Sequence, residues 1–540
     1  MSEMTLHPIA AIGSGADHAP ERPKLDGGFD ARTALIFFSV LALALFFVAY
    51  SLYTDITESG APASNWVPFL LLGVALFVAL GFEFVNGFHD TANAVATVIY
   101  THSMPAPVAV VWSGVFNFLG VMASTGAVAF GIVSLLPVEL ILNVGSSAGF
   151  AMVFALLIAA IIWNLSTWYL GLPASSSHTL IGSIIGVGFA NQLMSSSATG
   201  VDWAQASKVG TSLLLSPLIG FGASALLLLT LKLVARNPEL YREPKGTKPP
   251  PRLIRGLLVA TCTGVSFAHG SNDGQKGMGL IMLILIGVVP GAYALNRAMP
   301  DNHVQSFLAA SDQVAQTLDQ HPGAPTVADP RQELSRYLST RQVSPAVLPA
   351  LSQLARDMRG QVERYGTIKR MPVATVQNVR NDMYLASESI PRLSKEASVG
   401  LSKSEIDLLK GYKAELDNAT KFIPLWVKIA VAIALGLGTM VGWKRIVVTV
   451  GEKIGKSHLT YAQGASAELV AAVTIAAADL FGLPVSTTHV LSSGVAGTMA
   501  ANRSGLQMTT VRNLLMAWVL TLPAAILLSG GLYWLFSHLF

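Results

Sequence analysis

The chain has 540 residues, of which 52% are hydrophobic and 12% charged, about half the charge of an ordinary soluble domain. That excludes a soluble enzyme or binding module, and the single cysteine, Cys262, excludes an intramolecular disulfide or a multi-cysteine metal site. The net charge of +4 is gathered in short loops beside apolar runs, a topology signal and not a nucleic-acid surface.

In chain order, residues 1 to 32 are polar and mixed in charge. The first apolar run, Ala34 to Tyr53, begins late and lacks both a basic leader and a small-residue cleavage pattern, so it reads as a retained helix and not a signal peptide. Further runs follow at Val67 to Val85, Pro107 to Val133, Gly149 to Leu170, Thr211 to Val234, Leu280 to Leu295, Phe422 to Val441 and Leu514 to Phe536. Each approaches or exceeds the ~20 residues that span a bilayer, and with shorter runs they predict roughly ten to twelve membrane segments. The expected fold class is an all-α polytopic membrane protein.

The predicted organisation is a polar tail with an extra helix (1–65), a first membrane repeat (66–234), a basic linker (235–255), and a second repeat (256–295 and 422–540) interrupted by an insertion (296–421). Lys232, Arg236, Arg242, Lys245, Lys248, Arg252 and Arg255 crowd one loop, and Lys444, Arg445, Lys453 and Lys456 another; the positive-inside rule puts both in the cytoplasm. The insertion is charged, Gln-rich and has helical apolar spacing in stretches such as Asp329 to Leu338 and Leu401 to Leu416, predicting an extramembrane helical module with a break around Pro322 to Pro330. Loops this long escape the charge rule, so its side is left open. Gly270, Gly274, Gly277 and Gly279 within ten residues predict that the segment around Asp273 is broken or re-entrant.

Two motifs occur twice. Phe84-Val-Asn-Gly-Phe-His-Asp90-Thr-Ala-Asn93 returns as Phe267-Ala-His-Gly-Ser-Asn-Asp273-Gly-Gln-Lys276, and Gly171-Leu-Pro-Ala-Ser-Ser-Ser-His178 returns as Gly482-Leu-Pro-Val-Ser-Thr-Thr-His489. A duplicated membrane chain with Gly/Pro interruptions and ionisable groups at matching points reads as a secondary transporter whose site lies where the repeats meet. An intramembrane carboxylate costs ~2.5 kcal/mol or more, which makes Asp90 and Asp273 functional candidates; an N-cap role for Asp90 is the bland alternative. Asn93, one turn from Asp90, shares its face. Pro173 and Pro484 break the incoming helices, and Ser175, Ser176, Ser177, Ser486, Thr487 and Thr488 would open the next ones. A buried helix N-terminus with hydroxyls suits an oxyanion, although hydroxyls can also bond back to their own helix. His178 and His489 are candidate proton relays or structural groups. Lys276 needs an anionic partner: Asp273, the other Asp, or substrate. Glu83, Glu468 and Asp479 are further intramembrane acids, each either functional or near the interface.

At these residues the chain resembles the inorganic phosphate transporter (Pit) family, in particular its bacterial low-affinity permeases. The resemblance rests on Gly87 to Tyr100, Ala268 to Gly279 and Pro484 to Ser493 and covers the chain from about Trp66 onward. It implies two inverted repeats around one phosphate site with alternating access, in a bacterial inner membrane, with no cofactor. The family motif carries over to Asp90, Asn93 and Asp273, and to the hydroxyls at 175 to 177 and 486 to 488; Gln275 and Lys276 beside Asp273 are further substrate-binding candidates. His89 and Lys276 stand where that motif has Asn, and Asn117 stands where sodium-coupled relatives have Glu. The resemblance thus implies proton coupling, with Asp90, Asp273, His89, His178 and His489 as coupling candidates. It further implies phosphate taken free or as a divalent-metal complex, and allows a homodimer. Sulfate or another oxyanion is the nearest rival substrate. A membrane phosphatase would need a Mg²⁺-binding acidic cluster, and a receptor role built on the insertion leaves the duplicated motifs unexplained.

Overall fold

The computed structural model describes residues 23, 25, 31–59, 67–90, 92–142, 144–194, 201–244, 246–321 and 327–539. Most of the polar N-terminal tail, and residues 322–326 of the anticipated break, lie outside them. Among the described residues the chain is helical, with one isolated bridge between Gly455 and Leu506.

The membrane helices of the first half are α1 (Ala31–Ser59), α2 (Val67–Asp90), α3 (Ala92–Tyr100), α4 (Ala106–Ala123), α5 (Ser147–Tyr169), α6 (Ser176–Met194) and α7 (Trp203–Val234). A 37-residue helix, α8 (Arg252–Val288), opens the second half. The insertion supplies α9 (Asp301–Leu318), α10 (Pro330–Thr340), α11 (Val347–Tyr365), α12 (Val373–Leu393) and α13 (Lys403–Thr420). The membrane region resumes with α14 (Leu425–Thr439), α15 (Tyr461–Leu480), α16 (Thr487–Asn502) and α17 (Met508–Leu539).

Among the described residues, seven helices are long and apolar enough to cross a membrane. A further pair, α13 and α14, meets at 73°. The two do not form one span: α13 carries Lys403, Glu405, Asp407, Lys410, Lys413, Glu415 and Asp417, and its Leu409, Tyr412 and Leu416 belong to the insertion's own core. The bend is the junction where that module hands the chain back to the membrane. The insertion helices are amphipathic and bury Leu334, Leu351, Leu354, Val379 and Ile390 against one another. The start of α13 is fixed by a capping box, Ser402 with Glu405.

Packing in the membrane region follows an exchange rule. Helix α7 packs on α16 and α17 on α6; α4 packs on α8 and α14 on α2; α5 with α6 mirrors α15 with α16. The partners swap if α2–α3, α4, α5, α6 and α7 are exchanged for α8, α14, α15, α16 and α17. Even the internal prolines correspond, Pro217 in α7 and Pro523 in α17.

One expectation fails. The Asp273 segment is neither broken nor re-entrant: it lies inside the continuous helix α8. Its glycines serve close approach. A Cβ at Gly270 would stand 2.1 Å from the Asn117 carbonyl, at Gly274 2.6 Å from Val121, at Gly277 2.3 Å from Glu83, and at Gly279 2.7 Å from the Ala129 carbonyl. Tight backbone contact between membrane helices recovers the cost of helical glycine.

The insertion and the basic loops occupy opposite ends. Asp202, the N-cap of α7, binds Arg341 (2.5 Å) and Arg392 (2.7 Å) of the insertion. The other end of this 32-residue helix, about 48 Å away at 1.5 Å per residue, leads into the loop of Arg236 and Arg242. The second basic loop joins it there: the His458 N–H donates to Glu243, and Asn502 to the Tyr241 carbonyl.

Candidate substrate site

Asp90 closes α2, and Ala92 opens α3 one residue later. One carboxylate oxygen accepts the Ser176 hydroxyl at 2.5 Å. The other accepts Thr488 at 2.7 Å and lies 3.0 Å from His89 Nδ1. Asn93 donates to the Asp90 backbone carbonyl and to Thr488. The far nitrogen of His89 meets Thr167 at 3.1 Å. Residues from α2, α6 and α16 thus converge on one buried carboxylate, with Asn93 of α3 bracing Thr488.

The six motif hydroxyls divide by task. Ser175 and Ser486 are caps, accepting the backbone N–H groups of His178 and His489. Ser176 and Thr488 point inward to Asp90. Ser177 donates to the Val485 carbonyl and ties one motif loop to the other. The Thr487 hydroxyl has no hydrogen-bond partner among the described residues. The two hairpins therefore meet tip to tip, and the His178 and His489 rings lie 4.5 Å apart, with Trp518 stacked on His489 at 4.1 Å.

Asp273 and Lys276 form an ion pair at 2.7 Å, both fully buried. Lys276 also reaches 3.5 Å from Ser176, linking the two copies of the Asp motif. His269, one turn before Asp273, lies 3.4 Å from it and 2.7 Å from Asn117. Ligand atoms of Asp90, His269 and Asp273 fall within 4.8 Å of one another, compact enough to share a cation or a proton. Sequence reasoning passed over His269, although its place one helical turn before a buried Asp was a usable signal.

Gln275 faces elsewhere: its amide donates to Asp479 at 2.5 Å and accepts from the Val128 N–H at 2.9 Å. Asp479 also takes Ser271, and Asn272 donates to the Leu483 carbonyl, so this group anchors the second hairpin to α8. Glu468 accepts Thr261 at 2.5 Å and is fully buried. Glu83 is fully buried beside α8. Cys262 is packed in the core.

The phosphate transporter family model matches residues 86–529. The chain belongs to this family. It is 46% identical to the low-affinity inorganic phosphate transporter PitA of Escherichia coli K12 over 487 residues, 86% of this chain and 96% of that one. The PitB protein of the same organism is 43% identical with the same coverage, and a probable low-affinity inorganic phosphate transporter of Bacillus subtilis is 28% identical over 473 residues, 87% of this chain and 99% of that one. A solved sodium-dependent phosphate transporter is similar at 19% identity and a TM-score of 0.47, covering 87% of this chain and all of that one. Family membership sets aside the phosphatase reading.

Proposed function

We propose that this protein imports inorganic phosphate across a bacterial cytoplasmic membrane by proton symport, through one site where two inverted repeats meet. The observation that carries the reading is the convergence of both hairpins on Asp90, with the Lys276–Asp273 pair alongside. The N-termini of α6 and α16 bring free backbone N–H groups and positive dipole ends to that point. Ser176, Thr488 and Lys276 are donors and Asp90 an acceptor. A phosphate that still carries a proton satisfies both kinds of group, whereas fully ionised sulfate offers Asp90 nothing to accept. Phosphate entering as a divalent-metal complex would present its cation to the Asp90, His269 and Asp273 group.

Proton coupling is supported by charge. Lys276 is a fixed ammonium at the heart of the site and takes the place a sodium ion would fill, while Asn117 hydrogen-bonds His269 instead of offering a carboxylate. The swapped packing partners support inverted repeats and alternating access around the shared centre. Basic loops at one end and the insertion at the other support a cytoplasmic face at Arg236 and Lys444 and an extracytoplasmic insertion. The test is uptake of labelled phosphate into proteoliposomes with pH and sodium gradients imposed separately. The expected result is accumulation driven by an inward proton gradient in sodium-free buffer; strict sodium dependence with no response to pH would refute it.

A further inference from the structure

We infer that Glu83 is the group that carries the coupled proton, an inference that rests on the symport reading above. Glu83 lies on α2, two turns before Asp90, and is 0% exposed. One of its oxygens has no hydrogen-bond partner among the described residues, and the other has one long contact, 3.4 Å from the Asn86 amide. It is pressed against Gly277, next in sequence to Lys276, at a point on α8 that has room for this carboxyl only because glycine has no side chain.

The charges around it decide its state. Lys276 is already paired with Asp273 at 2.7 Å, and His89 stands against Asp90. Glu83 is the third carboxyl of the centre and has no cation of its own. The charged groups whose fields reach it are Lys276 and Asp273. Helix α8 also carries His269, set against Asp273, and α1, which touches α2 through Phe37 and Phe84, carries Arg32 near that contact and Asp55 and Glu58 toward its other end. The remaining helices packed on α2 bring little else. Helix α14 contributes only Lys428, which is bound to the Ser124 carbonyl; α5 only Tyr169, at its far end; α3 only Tyr100, on Glu452; and α6 only His178, stacked on His489. A fully buried carboxylate with only one long amide contact and no cation of its own is costly, and that cost is what fits this acid to carry a proton. Asp90, by contrast, is contacted by Ser176, Thr488 and His89.

The cycle follows. With Glu83 protonated, Lys276 has no second carboxylate to satisfy and can turn to phosphate. When the site opens to the more alkaline cytoplasm, Glu83 gives its proton to water. The resulting carboxylate competes for Lys276 and helps expel the anion. One O–H bond breaks and one forms on water, with no change of oxidation state.

Glu83→Gln fixes the neutral form. Reconstituted Glu83→Gln protein should still exchange internal for external phosphate at equal pH, more slowly because no carboxylate forms to help expel the anion, yet should lose accumulation driven by a proton gradient. Accumulation at the wild-type level, or loss of exchange in folded protein, would overturn the inference. Should the Gln variant not fold, Glu83→Asp should shift the pH midpoint of uptake, and an unchanged profile overturns the inference equally. The wild-type arm separates the two levels: indifference of wild type to the proton gradient sinks the symport reading itself, whereas a proton-driven wild type and an equally proton-driven Gln variant sink only Glu83.

Discussion

The two copies of the Asp motif occupy equivalent places and have diverged in how they hold their carboxylate. Asp90 sits where α2 gives way to α3 and is satisfied by a neighbouring His and by hydroxyls from both hairpins. Asp273 sits inside an unbroken helix and is satisfied by an ammonium one turn away. The first copy is held by groups that belong to three helices and must separate if those helices move. The second is a self-contained pair on a single helix. The duplicated motif thus makes one half-site assembled from several helices and one contained in a single helix.

The largest expected effect comes from removing the shared acceptor. Asp90→Asn should abolish phosphate uptake in proteoliposomes while the protein remains folded, because the amide cannot accept from Ser176, Thr488 and His89 together. Asp273→Asn should do the same by freeing Lys276. Near wild-type uptake by either variant would remove that carboxylate from the mechanism.

Lys276→Asn breaks the single-helix half-site. Losing one partner of a buried pair costs about 3–5 kcal/mol, so a marked fall in the thermal midpoint in detergent should accompany loss of transport or the appearance of weak sodium dependence. Adding Asp273→Asn should restore much of the stability but not the transport. A single variant as stable as wild type would mean that the pair does not hold α8 together.

The hydroxyls separate binding from folding. Ser176→Ala and Thr488→Ala should weaken phosphate binding by about 1–3 kcal/mol through an unmet buried partner, read as a raised half-saturating concentration. Ser175→Ala and Ser486→Ala remove caps and should cost about 1 kcal/mol of stability with less effect on saturation. Equal shifts in all four would erase the distinction.

The smallest effect concerns selectivity. Replacing residues 296–421 by a short linker should leave the preference for phosphate over sulfate intact even if expression falls, since the insertion has its own core and meets the membrane region at a helix end through Asp202. A preference lost in a well-folded deletion protein would place part of the site in the insertion.

Much of this molecule was legible in its residues. Long apolar runs determine the membrane class because hydrocarbon admits only backbone that is internally hydrogen-bonded. The repeated Gly-Leu-Pro motifs followed by hydroxyls and histidine mark helix starts because proline ends one helix and serine caps the next. Those are local rules, carried by neighbours in the chain. What each glycine does is not local. Gly270, Gly274, Gly277 and Gly279 read as a break, yet they are contact points, since only the opposing helix tells whether a missing side chain loosens a backbone or admits a neighbour. The same holds for the hydroxyls, identical in type and adjacent in sequence, of which Ser175 caps, Ser176 reaches Asp90 and Ser177 bridges to the other hairpin. It holds too for Gln275, which turns to Asp479 and not to the centre. Sequence determined which residues bear the chemistry. Tertiary structure decided which of them face one another, because that depends on the rotation and approach of helices hundreds of residues apart in the chain.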